Sequence, residues 1–121
     1  MSAKLPEGFF AQTLKAAYPA TADYFITLYP SVPTSLADTP CEVESKRLSG
    51  YRVVDHATHA TLHFDRVIDW MGVSVRTRGA LVHDKEKILS ILDFETDAGV
   101  FNGVFSVTLN EEGVVFLGAK D

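Results

Sequence analysis

The densest run of side chains able to do chemistry is Asp55, His56, His59, His63, Asp65 and Asp69. Three imidazoles so close together raise the question of a metal, because imidazole is a common ligand for transition ions. Spacing decides it. On a strand, His59 and His63 share a face but stand about 13 Å apart at ~3.3 Å per residue, too far for one ion. On a helix, His56, His59 and His63 form one stripe and a metal site becomes available. The strand is the favoured reading of this segment. No metal or other cofactor is therefore expected, and His56, His59 and His63 remain the minority metal candidates. No HExxH, cupin-like or EF-hand pattern accompanies them.

A second chemistry is proton transfer. A His and an Asp at the wall of an apolar pocket can act as acid and base, because burial moves both toward neutrality. His63 and Asp65 are the candidate catalytic pair. Arg76 and Arg78 could hold an anionic group bidentately, with His59 on the same polar face. The preferred alternative is plainer: Asp65 and Arg76 form a cross-strand ion pair, worth well under ~1 kcal/mol if exposed. Cys41 lies between Pro40 and Glu42, with Glu44 nearby. A reactive thiol needs electropositive neighbours, so Cys41 reads as a small core residue. As the single cysteine it excludes an intramolecular disulfide and CxxC chemistry. The chain has no GxSxG, no phosphate-binding glycine loop and no dinucleotide fingerprint.

These residues need elements to place them. Phe10, Leu14, Ala17 and Tyr18 recur at helical spacing, so residues 7–18 are expected to be a helix. Pro19 suits the first position of a second helix, with Tyr24, Phe25, Leu28 and Tyr29 on its apolar face. Pro30 and Pro33 end it, which makes 7–29 a helical pair, and 31–40 an extended connector. From Cys41 to residue 119 the period is two. Turns at 69–72, 83–86, 95–98 and 110–113 keep one face of five strands mostly apolar. In that register Asp65 faces Arg76, His63 faces Arg78 and Val107 faces Phe116. The second face is polar on the early strands (His59, Thr61, His63, Asp65, Ser74, Arg76 and Arg78). It turns apolar later, at Leu89, Ile91, Val100, Val104, Val115 and Leu117. Competing helical readings exist for 56–71, capped by Asp55, and for 84–94, capped by Asp84.

The expected architecture is one α+β domain over 1–121: an N-terminal helical pair on a curved antiparallel meander of five or six strands. In element order this outline resembles the cystatin-like and NTF2-like folds. Eleven Lys and Arg against 16 Asp and Glu leave a net charge of −5, which argues against a nucleic-acid partner. No apolar run approaches membrane-spanning length and no leader is legible, so a cytoplasmic protein is expected. The leading functional expectation is a small acidic, non-catalytic binding or accessory protein. It would act as a homodimer through the half-apolar sheet face, with Val104 and Leu117 in the contact, or would bind another protein. The alternative is a cone-shaped pocket for a small apolar or aromatic molecule. His63, Asp65, Arg76 and Arg78 would form its polar end, with isomerase or dehydratase chemistry available to it.

Overall fold

The structure is a computed structural model and describes residues 7–118. One helix, α1 (Phe9–Ala17), precedes seven strands. These are β1 (Phe25–Tyr29), β2 (Lys46–Arg47), β3 (Arg52–His56), β4 (His59–His63), β5 (Val67–His83), β6 (Ile88–Thr108) and β7 (Val115–Gly118). They form two antiparallel sheets, one ordered β2-β1-β5-β6 and one ordered β3-β4-β7.

The first helix follows its sequence signal. Ala11 and Leu14 are buried, Phe10 and Tyr18 pack beside them, and the chain leaves the helix at Tyr18–Pro19. The expected second helix does not form. Residues Phe25–Tyr29 are instead the strand β1, hydrogen-bonded between β2 and β5. Its last four residues are all buried, so the alternation that would mark a strand is lost. A strand covered on both faces reads as a continuous apolar run, and periodicity alone cannot separate that run from a helix.

The single meander is also replaced by two sheets. Residues 56–71 are not helical: β3 and β4 form a tight hairpin that pairs His56 with His59 and Arg52 with His63. Residues 84–94 are a turn followed by the start of β6. The turn at 110–113 exists, closed by Gly113 N–H donating to the Asn110 carbonyl at 3.1 Å. It carries the chain from one sheet to the other, so Phe116 pairs with Thr61 rather than Val107. The outline that resembled the cystatin-like and NTF2-like folds is therefore absent. The last residue of the expected β region, Ala119, lies outside the described residues.

The long pair β5–β6 explains the other missed turns. Residues 69–72 and 95–98 do not reverse the chain; they are bulges. Met71 and Gly72 stand opposite Val104 alone, Ser74 stands opposite Phe101 and Asn102, and Arg78 stands opposite residues 94–97. Each bulge holds one residue in the left-handed region: Gly72 (φ 62°), Asn102 (φ 49°) and Glu95 (φ 65°). Turn chemistry and bulge chemistry draw on the same backbone conformations.

One buried cluster joins the parts: Ala11 and Leu14 of α1, Ala60 and Leu62 of β4, Ile26 and Leu28 of β1, and Ile68, Trp70, Ala80, Val82, Phe105 and Val107 of the long pair. The Trp70 indole is fully buried, and its N–H donates to the Glu44 carbonyl at 2.8 Å. Trp70→Ala removes both the packing and this bond, and is expected to cost about 3–5 kcal/mol. Urea denaturation followed by circular dichroism measures that loss. Trp70→Phe should recover most of the packing but leave the carbonyl without its donor, costing about 1–3 kcal/mol.

Candidate functional site

Three places carry the chain's chemistry, and the structure keeps them apart. The first is the outer face of the three-stranded sheet. His56 and His59, paired across the β3–β4 hairpin, stack with ring centroids 4.3 Å apart. His59 stacks in turn on Phe116 of β7 at 4.6 Å. Thr61 sits among them, its hydroxyl 3.2 Å from His56 Nε2 and 2.7 Å from His63 Nε2. A hydroxyl has one proton to give, so at most one of these imidazoles receives it and the other must donate. Burial holds the His63 imidazole below its ordinary value, helped by the Arg52 guanidinium and by His56. Among the described residues no group of three His, Cys, Asp or Glu side chains can hold a metal ion. The cluster is a hydrogen-bonded polar face.

The second place is the outer face of the ribbon made by residues 67–78 of β5 with β6. β1 pairs only with Gly79–His83, so this stretch of β5 has one strand partner. Its inner face buries Ile68, Trp70, Phe105 and Val107. Its outer face is bare: Val67 is 60% exposed, Met71 68%, Val104 49% and Phe101 83%. Large apolar side chains gathered in this way are unusual on a monomer surface and mark contact sites. The register fixes their order. Asp69 lies at one end opposite Ser106, whose hydroxyl donates to it. Met71 and Val104 follow, then Phe101, then Arg76 opposite Gly99. A groove of about 600 Å³ runs beside Arg76 and Phe101, with Ser74 and Asp97 on its walls. Arg78 is held separately, donating to the Glu95 carbonyl at 3.2 Å with Asp97 at 4.0 Å.

The third place is His83, which sequence reasoning passed over as a turn residue. It ends β5 and is only 7% exposed. Its Nδ1 accepts the Lys85 amide N–H at 3.0 Å. The neutral ring must then carry its proton on Nε2, which donates to Thr27 Oγ1 at 2.7 Å. Thr27 Oγ1 is also hydrogen-bonded to Ser45 Oγ at 2.6 Å. Burial lowers the His83 pKa; nearby Asp84 opposes that shift and Lys85 adds to it. The only sequence signal was a histidine between an apolar strand and an Asp-Lys-Glu turn, and that pattern does not report burial.

The expected sites regroup accordingly. His56, His59 and His63 do come together, on the three-stranded sheet. Asp65 is exposed between β4 and β5, accepting from the Ser49 hydroxyl at 3.2 Å. It does not face Arg76, and His63 does not face Arg78, because the two arginines belong to the other sheet. Val104 and Leu117 are likewise separated. Leu117 pairs with Ala60 and packs half-buried on the core. Cys41 packs beside the core and its thiol donates to the Arg76 carbonyl at 3.3 Å. Burial raises the thiol pKa, with Thr77 partly offsetting it, so the reactive thiolate is disfavoured. No described helix is long and apolar enough to cross a membrane.

Comparison with models of known families, with curated proteins and with solved structures gives no match to this chain.

Both lowered histidines predict acid sensitivity. The unfolded chain binds protons at its histidines near the ordinary value of 6.5, while folded His63 and His83 resist them. Stability is then full above 6.5 and declines as pH falls below it. Calorimetric melting temperatures measured across this range test the sign. Thr61→Val should cost about 1 kcal/mol at neutral pH by orphaning an imidazole nitrogen.

Proposed function

We propose that the protein is a small acidic, non-catalytic binding protein that acts as a homodimer, joined through the outer face of the β5–β6 ribbon. The observation that carries this reading is the self-complementary order of that face. Its centre is apolar (Met71, Phe101 and Val104), with Asp69 at one end and Arg76 at the other. A two-fold axis through the centre lays apolar patch on apolar patch, and sets Asp69 of each copy opposite Arg76 of the other. An isologous contact requires this property of one surface. Phe101 supplies the large aromatic anchor that such contacts favour at their centre. Among the described residues Arg76 has no carboxylate at ion-pair distance within its own chain, so it is available for a partner. The separation of His63 and Asp65 from Arg76 and Arg78 removes support for an acid–base pocket.

A second reading keeps one observation in its favour. The groove beside Arg76 and Phe101 would also accept a small aromatic anion, its ring on Phe101 and its charge on the guanidinium.

Sedimentation equilibrium and native mass spectrometry separate the two. A dimer without adduct is expected, and Phe101→Asp should convert it to a folded monomer. Asp69→Arg sets like charges opposite each other and should weaken the dimer about tenfold or more. The exchanged pair Asp69→Arg with Arg76→Asp should restore it. A dimer indifferent to all three changes would sink the proposal, and a monomer carrying an organic adduct would promote the groove.

A further inference from the structure

We propose that His83 is an acid-sensitive latch: proton uptake at Nδ1 expels the Lys85 amide, opens the Asp84–Lys87 turn and frees the end of α1 from the four-stranded sheet. The inference does not depend on how the protein assembles. It rests on which atom must take the proton. Nε2 already carries one, directed at Thr27. The next proton can go only to Nδ1, which is occupied as the acceptor for Lys85 N–H at 3.0 Å. Two N–H groups cannot point at each other at that distance, so protonation and the closed turn exclude one another.

The turn needs that acceptor. Lys85 is held in the left-handed region at φ 77°, where a side chain with a Cβ is strained. What holds it there is local. His83 Nδ1 takes the Lys85 amide, and Asp84 Oδ1 takes the amides of Glu86 at 2.9 Å and Lys87 at 2.8 Å. The turn in turn grips the rest of the molecule. Lys87 Nζ donates to the Ala17 carbonyl at the end of α1 at 2.6 Å and lies over the Tyr18 ring. Lys85 Nζ lies over Phe25 of β1. Losing the turn loosens these contacts together.

Few groups oppose the switch. From β1, His83 faces the Thr27 hydroxyl and the Phe25 ring, and through Thr27 the Ser45 hydroxyl of the connector. From β6 it faces Ile88, its strand partner. The charged neighbours are Asp84 and Lys85, of opposite sign. The Asp84 carboxylate already accepts two amides and lies 3.8 Å from Lys87 Nζ. Among the described residues Asp84 is the one carboxylate that acts on the ring, and its bonds to the turn limit how far it compensates a buried imidazolium.

Amide hydrogen exchange by NMR on the whole chain, from about pH 7.5 to about pH 5, tests the latch. After division by the intrinsic rate, opening at Lys85 should rise as pH falls below 6.5, by up to about tenfold per pH unit. Protection at Ile68 and Val107, at the far end of the ribbon, follows global unfolding and should stay well above that at Lys85 at every pH, which separates local opening from the overall loss of stability. His83→Asn offers an acceptor in the place of Nδ1 but cannot titrate, so its Lys85 protection should stay level with pH. His63→Gln should leave the wild-type response intact. A flat wild-type profile overturns the proposal, as does the same rise in His83→Asn. Should His83→Asn fail to fold, the wild-type profile and His63→Gln still decide. Loss of the response in His63→Gln, or opening at Lys85 no easier than at Ile68 and Val107, also overturns it.

Discussion

β5 is longer than its neighbour β1 can cover, and much of the molecule follows from that mismatch. A buried strand edge without a partner strand must satisfy its backbone groups in some other way. Here the connector between β1 and β2 exchanges hydrogen bonds with the uncovered stretch, and a β5 side chain bonds carbonyls at its end. The Cys41 thiol donates to the Arg76 carbonyl, and the Trp70 indole reaches the Glu44 carbonyl. The Thr77 hydroxyl shares its one proton between the carbonyls of Tyr29 at 2.7 Å and Gly79 at 3.0 Å. Burying an indole contributes about 4–6 kcal/mol as an upper bound, more than any single hydrogen bond among these. Trp70 and its neighbour Phe105 thus pin the inner face of the ribbon, with the hydrogen bonds setting its position.

The same arrangement leaves the ribbon's outer face uncovered. No described helix crosses it, because the one described helix packs against β3, β4 and β7. In a strand pair with one face pinned, alternation forces every second side chain outward. Met71, Val104 and Phe101 are exposed for this reason, and the bulges between them set their spacing. The exposed apolar centre, with its two charged ends, is a product of sheet geometry acting on an otherwise ordinary strand sequence.

The four histidines show how little residue type says without its surroundings. His56 and His59 lean on one another and on Phe116 at the surface. His63 shares a hydroxyl with His56, and its neutral form is favoured by burial and then by the neighbouring Arg52. His83 is bonded at both nitrogens inside the fold, and only there does a proton conflict with backbone structure. The first three group through the Thr61 hydroxyl, which bonds His56 and His63, and through the stacking of His59 on His56.

Several features were legible before any tertiary contact was known. Helix α1 follows from Phe10 and Leu14 at helical spacing and a proline behind it. The period of two after Cys41 marks a β-rich chain, and Asn110–Gly113 marks a turn. These signals are local, because they depend on which face a side chain meets and on which φ a residue tolerates. What lay beyond the sequence was long-range. Phe25–Tyr29 is a strand because β2 and β5 flank it on either side. Residues 69–72 and 95–98 bulge because β5 and β6 keep pairing beyond them. β7 joins β4 because Asn110–Gly113 passes the chain to another sheet. A left-handed residue serves a hairpin loop and a bulge equally well, so local preference permits both. Only the packing of Trp70, Phe105 and their neighbours into one core selects between them.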